Sequence, residues 1–375
     1  MESSKLKHII FLRSIPVAPY PRLEKAAEAL YKTKKYKITV LAWDREGGHK
    51  KIEKKPYGII KRFKLIASYG RWKFFAKLFI WQVYEFFWLL FHKYDAIHAF
   101  GLDTYWPAIL VAKIRRKKII YDIHDFYADM ISDSAPKWML KIIKNFDLWL
   151  IGFADATIIA DDSRKEQIQG SKPKKLIVTY NAPDINPGKI SAKPRSKKTT
   201  IFYGGLMAKQ RGLSEMIEAI KNNKNYEFVI GGFGPDEEYY KKEIKNYSNI
   251  KFLGKLDYDD LLGFTKSADI LFATYDPKIL NHKYSSPNKL FEAMALEKPI
   301  IVSNDSSMAK IVKKEKCGLI IKYGDILEIR KTLEKLRKNS NLRKKLGQNG
   351  KKAYLNKYHW DIMAEKIRKF YQELF

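Results

Sequence analysis

The stretch YSSPNKLFEAMALEKPIIVSN, residues 284–304, contains the unit that decides the fold. A turn-like run of Ser, Ser, Pro and Asn leads into a short apolar segment of helical spacing, and a second proline precedes a run typical of a buried strand. Ser286 is a favoured N-cap residue and Pro287 a favoured first helical residue, so the helix is predicted to begin there. Short helices alternating with apolar strands indicate a parallel sheet covered on both faces.

The same alternation of strand and helix runs through both halves of the chain. A segment rich in Pro, Lys and Ser interrupts it at residues 182–200, which indicates a linker. In doubly wound sheets of this kind, ligands bind beyond the carboxyl ends of the strands. The predicted strands include residues 8–14, 37–44, 95–101, 117–125, 155–161 and 175–181 before the linker and 199–205, 226–234, 249–256, 269–275 and 317–325 after it.

At 375 residues the chain exceeds the size at which one core usually keeps growing, so two domains are expected. The predicted fold class is α/β, with two doubly wound Rossmann-like domains facing a central cleft. The predicted domains are residues 1–182 and 199–355, joined by a linker at 183–198. A C-terminal helix at 356–375 is expected to cross back to the first domain.

Charge is the unusual bulk property, since 72 Lys and Arg against 41 Asp and Glu give a formal net charge of +31. Such a chain attracts the phosphates of nucleotides, nucleic acids or anionic lipids. The excess is spread along the chain without a binding motif, which disfavours the alternative of a non-catalytic nucleic-acid-binding protein. Cys317 is the single cysteine and the seven His residues lack metal-ligand spacing, so neither a disulfide framework nor a metal site is expected.

The segment Trp72–His92, WKFFAKLFIWQVYEFFWLLFH, is long and strongly aromatic. Lys73, Lys77, Gln82 and Glu85 interrupt it, whereas a spanning helix needs about 20 residues nearly free of charge. Two alternatives stay open: a helix packed in the core, or a helix lying on an anionic membrane surface. Because the N-terminus has no signal-peptide pattern, the expected location is cytoplasmic, with a peripheral contact at the membrane face.

Lys289 and Glu292 are three residues apart near the predicted helix start and therefore share one face. The free N–H groups of a helix N-terminus suit an anion, and Lys289 would add a full positive charge. Glu292 only accepts hydrogen bonds, which suits the hydroxyls of a sugar or ribose. The pattern fits a phosphate flanked by a hydroxylated ring, and it fits a surface Lys–Glu pair equally well.

Ordered motifs link these residues to a known family. They are IFYGGLMAKQRGLSEMIEA (201–219), FVIGGFGPDEE (228–238), IKFLGKLDYDDLLGFTKSADILFATYDP (250–277) and SPNKLFEAMALEKPIIVS (286–303), preceded by PRLEKAAEAL, DAIHAFG, YDIHDFYADM, ADATIIAD and VTYNAPD. Together they resemble glycosyltransferase family 4, a group of mostly retaining enzymes with the GT-B fold that use nucleotide sugars. The resemblance covers most of the chain.

The resemblance implies that the second domain binds a nucleotide-diphosphate sugar and that no metal or other cofactor is required. Arg211 and Lys289 would meet the diphosphate, and Glu292 the ribose. His124, which follows a strand in YDIHD, would contact the donor sugar and is counted with Arg211 and Lys289 as catalytic. The other donor-binding residues so assigned are Gly204, Gly205, Gly232, Gly234, Gly254, Tyr284, Ser285, Ser286, Pro287, Asn288 and Leu290.

Two positions depart from the family pattern. The family's Glu-x7-Glu signature has Tyr284 at its first Glu and Glu292 at its second, and Gly205 stands where an Arg is common. Tyr284, Ser285, Ser286 or backbone N–H groups would then hold the donor sugar, and Lys289 is expected to make up the missing charge.

The acceptor is expected on the first domain. Arg22, placed in the loop after the first strand, and Asp125 are assigned to the acceptor side. The predicted function is that of a retaining hexosyltransferase acting on a glycan or lipid-linked acceptor in glycan or polysaccharide biosynthesis. The alternative enzyme is a GT-B-like sugar-nucleotide epimerase, which would need carboxylates around the sugar and is disfavoured by Tyr284.

Overall fold

The computed structural model describes residues 6–67, 73–132 and 135–375. It divides into two compact units, one formed by Met1–Tyr180 with Asp361–Phe375 and the other by Asn181–Trp360. Each unit contains its own sheet and hydrophobic core.

The first unit is built on one sheet with helices on both faces. Its strands are β1 (Lys7–Arg13), β2 (Tyr36–Asp44), β3 (Ile52–Lys55), β4 (Gly58–Lys64), β5 (Ala96–Phe100), β6 (Lys118–Ile123), β7 (Ala156–Ile159) and β8 (Leu176–Val178). They lie in the order β3-β4-β2-β1-β5-β6-β7-β8, and every pair is parallel except β3 with β4. Its helices before the second unit are α1 (Pro21–Tyr31), α2 (Lys73–Phe91), α3 (Leu102–Ile114), α4 (Tyr127–Met130), α5 (Lys137–Ile151) and α6 (Arg164–Gln167).

The helices α2, α3 and α5 form one layer on the same face of this sheet. They connect β4 to β5, β5 to β6 and β6 to β7, all advancing in one direction across the sheet, and right-handed crossovers place such helices on a common face. Trp81 of α2, Tyr105 of α3 and Ile151 of α5 belong to the same buried cluster. The helix α1 connects β1 to β2 in the opposite direction and therefore covers the other face.

The helix α2, which carries the aromatic segment, is buried on one face and exposed on the other. Trp72 lies outside the described residues. Trp81, Gln82 and Glu85 are buried, and Gln82 Nε2 donates to the Asp103 carbonyl at 2.9 Å, so these two polar residues point into the unit. The exposed face carries Phe75, Phe79, Ile80, Val83, Phe87 and Phe91. By length and composition alone, Phe74–Phe91 could cross a membrane, although part of it packs in the core.

The second unit repeats the doubly wound plan. Its strands are β9 (Thr199–Leu206), β10 (Tyr226–Phe233), β11 (Ile250–Phe252), β12 (Ile270–Ala273), β13 (Ile300–Ser303) and β14 (Gly318–Ile321). They form a parallel sheet in the order β11-β10-β9-β12-β13-β14. Its helices are α7 (Leu213–Ile220), α8 (Glu237–Ile244), α9 (Tyr258–Ser267), α10 (Leu280–Lys283), α11 (Asn288–Ala295), α12 (Ser307–Glu315), α13 (Ile326–Lys338) and α14 (Ser340–Ala353).

The segment predicted as a linker packs on the second unit. Lys266 Nζ donates to the carbonyls of Pro187 and Ile190 at 2.9 and 2.8 Å, and Ser267 Oγ donates to the Lys193 carbonyl at 2.7 Å.

The last helix, α15 (Trp360–Leu374), belongs almost entirely to the first unit. The Tyr371 hydroxyl lies 2.9 Å from His98 Nδ1, and the Tyr371 ring packs edge-on against Tyr36.

Candidate active site

The second unit has a topological switch point between β9 and β12. From β9 the chain continues to β10 and β11 on one side of the sheet, and it then crosses to β12, β13 and β14 on the other. Loops beyond the carboxyl ends of the strands diverge at such a point and can surround a ligand. Tyr203 lies near the end of β9, and Tyr275 follows β12.

Two cations meet at this point. The Arg211 guanidinium carbon lies 4.0 Å from the centroid of the Tyr275 ring, and Lys289 Nζ lies 5.6 Å from the same centroid. Lys289 Nζ is also 3.9 Å from the centroid of Tyr203. Burial, followed by the charge of Arg211, lowers the pKa of Lys289 to about 7. An anion between the two side chains would offset both effects, so the pair is suited to a phosphate.

Gly205 leaves room for the Lys289 side chain. A Cβ at this position would lie 2.6 Å from Lys289 Cε and 2.8 Å from Nζ, and the backbone has a φ of +145°. The position that commonly carries an Arg in the family is therefore filled here by the end of a lysine from α11. The Thr274 hydroxyl donates to the Arg211 carbonyl at 2.9 Å and holds the short turn that carries Arg211.

The start of α11 corrects a prediction. The helix begins at Asn288, and Pro287 is its N-cap residue with an extended ψ of 144°. Ser286 is therefore not the N-cap, and Pro287 is not the first helical residue, because an extended Pro287 cannot join the first turn. The Ser286 hydroxyl makes no capping hydrogen bond.

Several buried polar atoms around this helix start have no hydrogen-bond partner. They are Arg211 Nε and Nη1, Ser286 Oγ and Asn288 Oδ1. Because buried polar groups in folded proteins are nearly always hydrogen-bonded, such a cluster indicates a site for a polar ligand.

Glu292 lies one turn further along α11 and is buried. The Tyr258 hydroxyl donates to Glu292 Oε1 at 3.2 Å, and burial raises the pKa of Glu292 to about 7. Leu290 is buried in the core and offers no side chain to a ligand. Ser285 Oγ donates to the His282 carbonyl at 3.0 Å, and Tyr284 ends α10 with a partly buried ring.

The predicted donor-site glycines allow close backbone approach. A Cβ at Gly232 would lie 1.9 Å from the Gly205 carbonyl oxygen, and a Cβ at Gly234 would lie 2.3 Å from the Met207 carbonyl oxygen. The Gly232 amide donates to the Gly254 carbonyl at 2.7 Å. Packing between neighbouring strands explains Gly232 and Gly234 without a ligand. A Cβ at Gly204, in β9, would lie 3.0 Å from the Phe202 ring and 3.2 Å from the Leu261 side chain.

The first unit has its own switch point, between β1 and β5. Arg13 ends β1, and its Nη1 donates to the Phe100 carbonyl at 2.9 Å, while its Nη2 lies 3.2 Å from His124 Nε2. Burial and the charge of Arg13 lower the pKa of His124 to about 3, so the imidazole is neutral. Its Nε2 then accepts from Arg13, and Nδ1 has no hydrogen-bond partner.

Arg22 does not lie in a loop, which corrects its predicted placement. It stands in the first turn of α1 and is buried, with Nε and Nη2 donating to Asp122 at 2.9 and 2.8 Å and Nη1 donating to the Thr179 carbonyl at 2.9 Å. Its hydrogen bonds are made within the unit, where they join α1 to β6. Asp125 accepts a hydrogen bond from Arg164 at 3.1 Å.

Three residues at the two switch points were not predicted as site residues from the sequence: Arg13, Tyr203 and Tyr275. Arg13 and Tyr275 stand at or just beyond the carboxyl end of a parallel strand, which was the available signal, whereas Tyr203 lies within β9. Among the residues that the structure describes, no group of three or more His, Cys, Asp and Glu side chains is placed to hold a metal ion.

Family models match both halves of the chain. The model described as Glycosyltransferase Family 4 matches residues 23–186, and that of Glycosyl transferases group 1 matches residues 188–353.

Curated relatives agree with these matches. A glycosyltransferase of Methanocaldococcus jannaschii is 28% identical over 194 residues, covering 50% of this chain and 48% of the relative. A second one from that organism is 26% identical, with coverages of 59% and 60%. The chain thus spans about half to three fifths of the length of these two relatives. The phosphatidyl-myo-inositol mannosyltransferase of Mycobacterium leprae is 21% identical, with coverages of 76% and 75%.

Solved structures identify the fold. Sucrose-phosphate synthase from Thermosynechococcus elongatus is similar with a TM-score of 0.79 at 14% identity, covering 98% of this chain and 99% of that one. Anabaena HepE in complex with UDP has a TM-score of 0.72 at 14% identity, with coverages of 98% and 100%. The chain has the GT-B fold. With both family models matched in order, it belongs to the group 1 glycosyltransferases of glycosyltransferase family 4.

Proposed function

We propose that this chain is a retaining hexosyltransferase that moves a sugar from a nucleotide-diphosphate sugar to a glycan or lipid-linked acceptor. The observation that carries the proposal is the pair of Arg211 and Lys289 over Tyr275, beside buried polar atoms without hydrogen-bond partners at the start of α11. The UDP complex of HepE supports a uridine nucleotide as the donor carrier. The lipid named in the M. leprae relative supports a lipid-linked acceptor.

In the proposed reaction, the bond between the anomeric carbon and the diphosphate oxygen breaks, a bond from the acceptor oxygen forms, and the proton of the acceptor hydroxyl passes to the departing diphosphate. Arg211, Lys289 and the N–H groups that open α11 stabilise the charge on the departing diphosphate. Glu292 accepts from the ribose hydroxyls, and His124 is a ligand for a sugar hydroxyl. Two protein cations supply the charge neutralisation, so we propose that no metal ion is required. Retention of configuration follows the family pattern.

The first unit is proposed to receive the acceptor, and the second the donor. A cytoplasmic protein that contacts the membrane through the exposed face of α2 would meet a lipid-linked acceptor at its own surface. The exposed phenylalanines of that helix support this contact.

A thermal-shift panel of nucleotide sugars on the wild type and on Glu292→Ala tests the donor site. A donor that binds well above its Kd should raise the Tm of the wild type by several degrees. Glu292→Ala should respond much less, because it loses the acceptor for the ribose hydroxyls. The matched control is Glu218→Ala, which removes a surface Glu–Lys pair of the same three-residue spacing. If no nucleotide sugar stabilises the wild type, the proposed function is wrong.

The stereochemistry and the metal requirement need a turnover assay. The product anomer, read by NMR, should match the donor anomer, and activity should survive exhaustive treatment with EDTA. Incubation of a labelled nucleotide sugar without acceptor should return it without inversion at another ring carbon. An epimerised product in that arm would favour the epimerase instead.

A further inference from the structure

The layer formed by α2, α3 and α5 carries a second apolar stripe, on α5, that the transfer reaction does not use. Trp138, Ile142, Phe146, Trp149 and Phe153 are spaced by three or four residues, so they lie along one side of the helix and its C-terminal turn. All five are exposed, Trp138 to 67% and Trp149 to 60%. The opposite side of α5 packs into the core through Leu150 and Ile151.

The stripe on α5 belongs to a wider surface. The neighbouring helices of the same layer expose Leu110 and Ile114 on α3, and the phenylalanine stripe from Phe75 to Phe91 on α2. Because the three helices cover the same face of the sheet, their outer sides all point away from it. Exposed apolar side chains on three helices of one layer indicate an interaction surface.

The charges on α5 indicate which class of partner this surface can bind. Lys137, Lys141 and Lys144 are exposed beside the stripe. Asp147 is the one carboxylate of the helix, and it is buried, where it accepts a hydrogen bond from the Tyr121 hydroxyl at 2.8 Å.

The other two helices of the layer continue this charge pattern. The carboxylate of α2, Glu85, is buried, and that of α3, Asp103, is partly buried and accepts from Ser14. Lys113 and Arg116 are exposed at the end of α3. An apolar and aromatic surface with cations and no exposed carboxylate on its helices matches an anionic bilayer interface. Two copies of such a surface would repel each other.

We infer that the outer faces of α2, α3 and α5 together form a membrane-binding surface, in which Trp138 and Trp149 enter the interface and Lys141 and Lys144 bind anionic lipid headgroups. The inference deepens the proposed function, since it rests on the peripheral contact suggested there for α2 and adds α3 and α5. It assigns this face of the first unit to the bilayer.

Vesicle flotation tests the surface. The full chain is mixed with vesicles of phosphatidylcholine alone or with 30 mol% phosphatidylglycerol, in the absence of nucleotide sugar. The wild type should float with the anionic vesicles. Trp138→Ser/Trp149→Ser should reduce the partition coefficient by about tenfold or more, because it removes two interfacial aromatic side chains. Lys141→Glu/Lys144→Glu should reduce binding to anionic vesicles by a similar factor.

Matched controls lie on the second unit. Lys331→Glu/Lys335→Glu makes the same change in net charge on exposed positions of α13, and Leu327→Ser removes an exposed apolar side chain there. Both should float like the wild type. Equal loss of binding in the controls, or flotation of the α5 variants at the wild-type level, would overturn the inference. A dimer in light scattering that the tryptophan variant dissociates, without vesicle binding, would assign the surface to a second copy instead.

The thermal shift with nucleotide sugar is measured on the same α5 variants. An unchanged donor response combined with lost flotation separates the membrane surface from the donor site. A failed donor response in the wild type with intact flotation would count against the proposed function and leave the membrane surface standing.

Discussion

At the residue scale, position 205 decides where the Lys289 ammonium lies. The missing side chain of Gly205 leaves the space that Lys289 Cε and Nζ occupy. We expect the charge that an arginine would have supplied from β9 to come instead from α11, more than eighty residues later in the chain.

Gly205→Ala should displace Lys289 and weaken UDP binding about tenfold or more, as Lys289→Gln should, because hydrogen bonds to charged groups are worth about 1.5–3 kcal/mol. Gly324→Ala is the control: it has a φ of +81° and no atom within 4 Å of its added Cβ. Titration calorimetry with UDP measures both. Wild-type affinity in Gly205→Ala, with a normal melting curve, would remove Lys289 from the diphosphate site.

Lys289 and Glu292 also make donor binding pH-dependent. The pKa of Lys289 is lowered to about 7, and a bound diphosphate would raise it. The contribution of Lys289 to affinity is therefore full below pH 7, where Lys289 is already protonated, and falls as the pH rises from 7 towards 9. The effect should be clearest in Glu292→Gln, because Glu292, with a pKa of about 7, would release a proton when its carboxylate binds hydroxyls.

Calorimetry at pH 8 in two buffers of different ionisation enthalpy should detect proton uptake by Glu292→Gln on UDP binding. The double variant Lys289→Gln/Glu292→Gln should show none. Equal uptake in both variants would assign the proton to another group.

At the element scale, the starts of α11 and α12 differ although both follow serines. Ser306 Oγ accepts from the Ala309 amide at 3.2 Å and caps α12, whereas Ser286 Oγ has no partner. Ser306→Ala should therefore lower the free energy of unfolding by about 1 kcal/mol. Ser286→Ala should change stability by less than about 0.5 kcal/mol and weaken UDP binding instead. Urea denaturation measures the free energy of unfolding, and calorimetry measures UDP binding. A large loss of stability in Ser286→Ala would show that Ser286 caps α11 after all.

At the scale of the whole molecule, the last residues of the chain complete the first unit. Tyr371 packs against Tyr36 and its hydroxyl lies beside His98, which is fully buried in the centre of the sheet. The chain therefore runs through the first unit, continues through the second unit and returns to the first unit with its last helix.

Deletion of residues 361–375 should lower hydrogen-exchange protection in β1 and β5 while leaving β9 and β10 protected, because each unit has its own core. Tyr371→Phe is the milder comparison: it keeps the ring and should cost about 1 kcal/mol for the lost hydrogen bond. Equal loss of protection in both units after the deletion would contradict a role for α15 in the first unit alone.

Much of the fold and of the candidate site could be predicted from the sequence, and each wrong prediction has a physical reason. The alternation of strands and helices predicted the fold, because the period of apolar residues is a local property. Arg22 was assigned to a loop although it lies in the first turn of α1, and its burial could not be predicted because it depends on Asp122, a hundred residues away. The start of α11 was predicted one residue too early, with Ser286 as the N-cap and Pro287 as the first helical residue, because capping preference does not specify the ψ of a proline. The roles given to His124, Arg211, Lys289 and Glu292 stay predictions.

The sequence by itself determined the two doubly wound units, the family and the shared helix of Lys289 and Glu292, since each depends on local pattern or ordered motifs. Only the tertiary structure placed Arg211 and Lys289 over one tyrosine ring, Arg13 beside His124, and the stripes of α2 and α5 on one outer layer. Those arrangements follow from the order of strands in each sheet. That order joins residues far apart in the chain, and local periodicity carries no information about it.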